Sequence, residues 1–335
     1  MSGQFVFRKI QLGKEANAGT PVAASMIWRG TGVPDDQRSI VRPPEHVGYA
    51  VRSNRTYTPM LLAGLSMDAI PATFEQLPYL LEAGIKTVNT GAADGSGSGK
   101  IYDYVFPSTA ANTIKTFTIE GGDDQQAEEM EYAFVEKLTL AGKGQEAVTM
   151  QADWLARQMA LSTFTGALTP PTVVEALAGN AKLYIDASGG TIGSTLKSNT
   201  LLEWTLELVT GWVPRWTAEG ALVFGRVAWV GSVMDASLKI TFEHDATSVA
   251  EKAAWRAETG RLLRLNVDGP ALTTAGTAYQ KKTLRIDLAG KWLSFDKLDE
   301  DEGNDIVEGE FSAHYSPSDS LHGRIIVVNE ISVLP

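Results

Sequence analysis

Apolar positions along the chain fall into two helical stretches set among many short alternating runs. Phe74, Leu77, Leu80 and Leu81 recur at spacings of three and four, which places them on one buried helix face. Thr73 and Gln76 have the spacing of a capping box. Pro78 has no N–H to give to Phe74, so the regular helix is predicted to start nearer Pro78, with Gly84 as its left-handed end. A second helix is predicted from Ser248 and Glu251 as its cap, with Ala250, Ala253, Ala254 and Ala257 packing closely around Trp255 and Gly260 ending it. Strands are predicted at residues 4–12, 102–106, 113–119, 182–185, 201–208, 222–230, 262–267 and 283–288, with a hairpin turning at Gly142 to Gly144 and another at the end of the chain. Strands separated by turns, with one helix in each half, predict antiparallel sheets and an α+β fold that is mostly β.

The chain also repeats itself. Gly64 to Ala69 reads GLSMDA and Gly231 to Ala236 reads GSVMDA, and each leads into a helix that stops at a glycine. A chain of 335 residues is long for one ordinary core. The expectation is two related domains in tandem, residues 1–168 and 180–335, joined by a linker at 169–179 next to the adjacent Pro170 and Pro171. Two stretches break the pattern. Residues 30–59 form a long proline-rich excursion carrying Arg38, Arg42, Arg52 and Arg55. Residues 90–100, TGAADGSGSGK, are expected to be a flexible loop.

Composition narrows the chemistry. There are no cysteines, which removes disulfides, thiolate catalysis and cysteine-ligated metals. The net charge is −11, and lysines and arginines form no stripe suited to gripping phosphates. No apolar run approaches the roughly 20 residues needed to cross a bilayer, and the N-terminus lacks a signal-peptide pattern, so cytoplasmic synthesis without a membrane partner is expected. His46, His244, His314 and His322 have no helical metal-ligand spacing. The acidic runs lack the spacing of a calcium loop, and SGSGK at 96–100 precedes a strand rather than the helix a phosphate loop needs. No catalytic constellation emerges, so neither an enzyme nor a cofactor is expected. Eight tryptophans leave a competing idea, a glycan-binding β-sandwich that uses exposed indole rings, and the 40 acidic residues leave a third, an enzyme with a dispersed carboxylate pair.

The stretch RKIQLGKEANAGTPVAAS, the block from PATFEQLPYLLEAG through YDYVFPS, the acidic GGDD and the segment VEKLTLAGKGQEAVTMQADW together resemble the major tail tube proteins of long, non-contractile-tailed (siphovirus-type) bacteriophages. The resemblance covers most of residues 8–157. It implies tail-tube β-sandwich or barrel domains with a flanking helix, assembled into rings that stack as a DNA conduit in the virion tail after assembly in the bacterial host cytoplasm. It implies as partners other copies of the chain, the tape measure protein, tail completion proteins and DNA in passage. With a duplicated domain, a trimer with pseudo-sixfold symmetry is expected, otherwise a hexamer. A conduit must not hold DNA, so an acidic bore is expected, with Glu203, Glu207 and Asp287 as lumen candidates because a charge in a strand needs a wet face. Arg38, Arg42, Arg52 and Arg55 are expected to bridge stacked rings.

Overall fold

The computed structural model describes residues 3–50, 54–219 and 221–334. The fold is α+β, mostly β, with two α-helices among the described residues. The first half contains β1 (Lys9–Lys14), β2 (Met26–Trp28), β3 (Gly32–Asp36), β4 (Ser39–Val41), β5 (Tyr57–Met60), β6 (Ala63–Met67), β7 (Ile70–Pro71), α1 (Leu77–Gly84), β8 (Ala92–Ala93), β9 (Lys100–Val105), β10 (Phe117–Gly122), β11 (Ala127–Lys143), β12 (Thr149–Ala156) and β13 (Gln158–Ser162). The second contains β14 (Ala181–Ala187), β15 (Leu196–Lys197), β16 (Leu201–Val209), β17 (Trp212–Arg215), β18 (Arg226–Trp229), β19 (Asp235–Glu243), α2 (Ala246–Arg256), β20 (Arg261–Ala271), β21 (Lys281–Phe295), β22 (Asp299–Asp301), β23 (Asn304–Ala313) and β24 (Gly323–Asn329).

The halves use one pairing order. In the first, β1 pairs with β2 and β10, β10 with β11, β11 with β12 and β13, β12 with β6, and β6 with β3. In the second, β14 pairs with β15 and β20, β20 with β21, β21 with β23 and β24, β23 with β19, and β19 with β16. A two-stranded hairpin interrupts each half at the same point, β4–β5 between β3 and β6 and β17–β18 between β16 and β19. Both long strands carry a bulge at the same place, Val135/Lys137 in β11 and Trp292/Ser294 in β21.

These bulges set the residue correspondence. Val135 faces Trp154 and Lys137 faces Asp153, as Trp292 faces Phe311 and Ser294 faces Glu310. Leu65 opposite Trp154 therefore matches Leu238 opposite Phe311. On this correspondence Met67 matches Ile240, so the Met-Asp-Ala echo sits six positions out of register. The tripeptide pointed at the correct pair of strands by composition, while the ladder itself aligns different residues.

One seam joins the halves. β11 pairs with β16 from Lys137↔Val209 to Lys143↔Glu203. The result is a continuous run of eight strands, β3–β6–β12–β11–β16–β19–β23–β21. A second junction pairs β9 with β24. One hydrophobic cluster extends through both halves, with Phe74 and Trp154 from the first and Trp204 and Phe311 from the second. The stretch expected as a linker is docked: Glu175 bridges to Thr73, Leu177 bridges to Ala147, and the Val174 carbonyl accepts from the Phe74 N–H.

Helix ends differ from the sequence expectation. The α1 helix starts at Leu77 with Pro78 in its first turn, as predicted, but all eight of its residues are buried rather than one face. Gly84 does not adopt a left-handed φ. Its lack of a side chain admits Val135 and Thr210 against it, and the Trp212 indole N–H donates to its carbonyl at 2.9 Å. The α2 cap is Asp245, which accepts from the Thr247 and Ser248 N–H groups, while the Ser248 hydroxyl accepts from the Asp245 N–H. The predicted alanine face of α2 is mostly outside: Ser248, Glu251 and Ala254 are buried, while Ala250 and Ala253 are exposed. After α2, Glu258 takes the left-handed conformation (φ 51°) that Gly260 was expected to supply.

The glycine–serine loop is also fixed rather than free. Asp94 accepts from the N–H groups of Ala278 and Tyr279, and Gly97 meets Gly276 closely enough that a side chain there would collide with its backbone. The small residues of 90–100 and 269–278 let the two loops lie against each other.

Candidate assembly surface

In a strand pair, directly opposed residues lie on the same side of the sheet, so the registers define one face of the eight-stranded run. In β16, Trp204, Leu206 and Leu208 are buried, and their alternates Glu203, Thr205, Glu207 and Val209 lie on the opposite face. Lys143, opposite Glu203, joins that face, as do Lys239 and Glu310, which oppose one another. Asp153 (opposite Lys137), Asp35, Asp235, Glu243 and Glu308 complete its charged positions, together with Lys291. Eight carboxylates against four lysines leave this face acidic. Lys137 donates to Glu207 at 2.9 Å, and this contact lowers the Glu207 pKa and raises that of Lys137. Burial, with Asp153 adding repulsion, raises the pKa of Glu136 beside the bulge.

Of the lumen candidates, Glu203 and Glu207 therefore share this face. Asp287 does not. Its side chain is fully buried, with Arg264 donating at 2.6 and 2.8 Å and Arg324 at 3.1 Å. The premise that a strand charge needs water fails here because two arginines from neighbouring strands β20 and β24 take the place of solvent. Nothing in the local sequence reveals this, since the partners lie 23 and 37 residues away.

Residues 30–59 build β3 and then an exposed hairpin, β4–β5. Arg38 is paired with Asp36 at 2.6 Å, which raises its pKa, and Arg55 is paired with Glu45. Arg42 follows β4 on the same excursion. Arg52 lies outside the described residues. The matching hairpin β17–β18 is folded back: Phe224 and Trp212 pack with Tyr132 and Phe134 of the first half.

Other buried carboxylates hold loops. Glu15 accepts from Gly19, Thr116, Thr118 and Tyr132, and Glu120 from Ala24 and Thr165. Such charges are satisfied by N–H and O–H donors of the chain itself. Among the described residues, no group of three or more His, Asp or Glu is arranged to hold a metal ion. No helix among them is long and apolar enough to cross a membrane. Five of the eight tryptophans are buried, and only Trp216, at 41% exposure, presents a large open surface.

The eight-stranded run has two open ends. Among the described residues, β3 pairs only with β6, and residues 294–301 pair only with β23. By residue correspondence, β3 is the counterpart of β16, and 294–301 of the β11 segment that receives β16. A shallow cavity lies at each end. One, of about 350 Å³, is lined by Thr241, Asp296, Lys297, Asp299, Ile306 and Glu308. The other, of about 250 Å³, includes Arg8, Gly32, Val33 and Pro34. Neither a scan against protein-family models nor a search of curated proteins finds a match for the chain.

Proposed function

We propose that the chain is a structural, non-enzymatic virion protein that assembles into stacked rings forming the tail tube of a siphovirus-type phage. Each half then serves as one β-sandwich-like tube domain, residues 1–168 and 180–335. The observation that carries this reading is the seam. Two halves with one pairing order are joined strand to strand, and the open ends of the resulting sheet are the counterparts of the two strands already joined inside the chain. A head-to-tail contact of that kind closes a ring when its rotation divides the circle. Three chains would supply six domains.

The acidic face supports a conduit. Lysines and arginines that neutralise phosphates release counterions and hold DNA, whereas carboxylates repel it over the roughly 8–10 Å that salt allows. With this face inward, Glu203 and Glu207 line the bore. The tape measure protein would occupy the bore before DNA, and completion proteins would cap the tube's ends. The exposed β4–β5 hairpin is the element suited to reach a neighbouring ring. Glycan binding gains no support, because the indole rings it needs are mostly in the core.

Self-association tests the reading. Purified chain at rising concentration should form rings and rods visible by negative-stain microscopy. A chain that remains monomeric at every concentration and salt condition in which it stays folded contradicts it.

A further inference from the structure

The two halves treat the bulge of their long strand differently. In the first half the bulged residue is Glu136, between Val135 and Lys137. Its carbonyl accepts from the Thr210 N–H at 2.9 Å and from the Thr210 hydroxyl at 3.1 Å, so the bulge is part of the inner seam. Thr210 has room because α1 ends in glycine: a Cβ on Gly84 would stand 3.0 Å from the Thr210 methyl and 3.3 Å from Val135. In the second half the bulged residue is Leu293, between Trp292 and Ser294. Here the carbonyl is taken by the helix, since the Trp255 indole N–H donates to it at 2.9 Å. One turn earlier on α2, Lys252 donates to the Asp296 carbonyl at 3.0 Å. At the open end of the sheet, an indole therefore holds the acceptor that Thr210 holds at the inner seam.

The counterpart of Thr210 lies at the other open end. Pro34 faces Leu65 as Leu206 faces Leu238, so Pro34 matches Leu206 and, four residues on, Arg38 matches Thr210. The Gln37 N–H bonds to the Leu62 carbonyl beside β6, which turns the Arg38 N–H to the open side. In the free chain that N–H bonds to the Asp36 carboxylate at 3.2 Å, and the same carboxylate holds the Arg38 guanidinium at 2.6 Å. Both groups of the missing rung are held by side chains of their own copy. Resting on the tube reading, we infer that the Leu293 carbonyl of one copy is the docking point for the Arg38 N–H of the next. Trp255 and Asp36 are then caps that must let go before two copies join. Such caps keep an open edge from pairing at random. Each exchange trades one hydrogen bond for another, so the caps delay joining without forbidding it. The Leu293 side chain is 60% exposed, and half-buried Trp255 packs on Phe295, which leaves the bulge within reach of a neighbour.

The concentration at which full-length chain forms rods, read by sedimentation, tests the caps. Trp255→Phe keeps a ring on Phe295 and removes the indole N–H. Asp36→Ala frees the Arg38 N–H, whereas Asp36→Asn removes the charge and keeps an oxygen in the same place. The threshold should fall several-fold in Trp255→Phe and in Asp36→Ala, fall further when both are combined, and stay near wild type in Asp36→Asn. Arg38→Pro has no N–H to offer and should raise the threshold about tenfold, as for an interface acceptor left unmet, while Arg38→Ala keeps the N–H and should not. Circular dichroism checks that each variant is folded. Thresholds for Trp255→Phe and Asp36→Ala at or above wild type overturn the inference. So do equal effects of Asp36→Asn and Asp36→Ala, which would assign the change to charge, and equal assembly of Arg38→Pro and Arg38→Ala. Each of these leaves the tube reading intact. Folded wild type and variants that give no rods at any concentration overturn both.

Discussion

At the residue scale, the most informative side chain is Asp287. Its carboxylate is fully buried between Arg264 and Arg324, and it ties β20, β21 and β24 together. Removing one partner of a buried network leaves the others uncompensated, at a cost of roughly 3 kcal/mol or more. Asp287→Ala should lower unfolding free energy by about that amount in urea titration; a change below about 1 kcal/mol would show that the arginines are satisfied elsewhere. Glu82 makes a pH prediction. It is fully buried and pairs with Lys14 at 2.6 Å, yet desolvation dominates and raises its pKa above 4.5. A raised folded pKa means that the native state holds this proton more tightly than the unfolded chain does. The contribution is present in full below about pH 4.5 and is lost as pH rises through the folded value. Wild type should therefore lose stability relative to Glu82→Gln over that upward range, read from paired denaturation curves. A difference that is flat or grows in the opposite direction contradicts the assignment.

At the element scale, the pattern of short strands and two helices was legible because periodicity is local. The helix ends were less so. Ser248 with Glu251 has the right letters for a cap, but Asp245 lies nearer the turn leaving β19 and captures the N–H groups of the first turn. The alanines of α2 read as a packing face because small residues permit close approach, yet Trp255 is drawn toward the Leu293 carbonyl and its indole N–H donates there at 2.9 Å. Residues 90–100 have the composition of a flexible loop, yet they are held, because their partner loop lies 184 residues downstream at the Asp94–Ala278 bond, beyond the reach of local composition. The hairpin β4–β5 gives the element-scale prediction. Replacing residues 42–56 by a short turn keeps β3 and its pairing with β6, so the chain should fold and form single rings. Those rings should fail to stack, as seen by microscopy and sedimentation. Rods of normal length from this variant would remove residues 42–56, the connection between β4 and β5, from inter-ring contact.

At the scale of the whole molecule, internal repetition was visible in the sequence only as a faint echo. The Met-Asp-Ala match lies six positions out of register, while the matching positions that do carry the ladder, such as Trp154 with Phe311 or Asp153 with Glu310, share only character. Volume and polarity at a strand position can support the same ladder without identity, so the repetition shows as topology rather than as matching letters. The seam was not legible at all, since pairing between β11 and β16 joins distant residues, Lys143 with Glu203 and Lys137 with Val209, with no local signal. It is also the feature on which the proposed assembly rests. The most direct measurement is a symmetry-resolved electron-microscopy reconstruction of the assembled rods. The tube reading predicts three chains per ring, alternating halves giving a pseudo-sixfold bore, and an acidic inner wall bearing Glu203 and Glu207. Six chains per ring, with β3 and residues 294–301 unpaired, would contradict it.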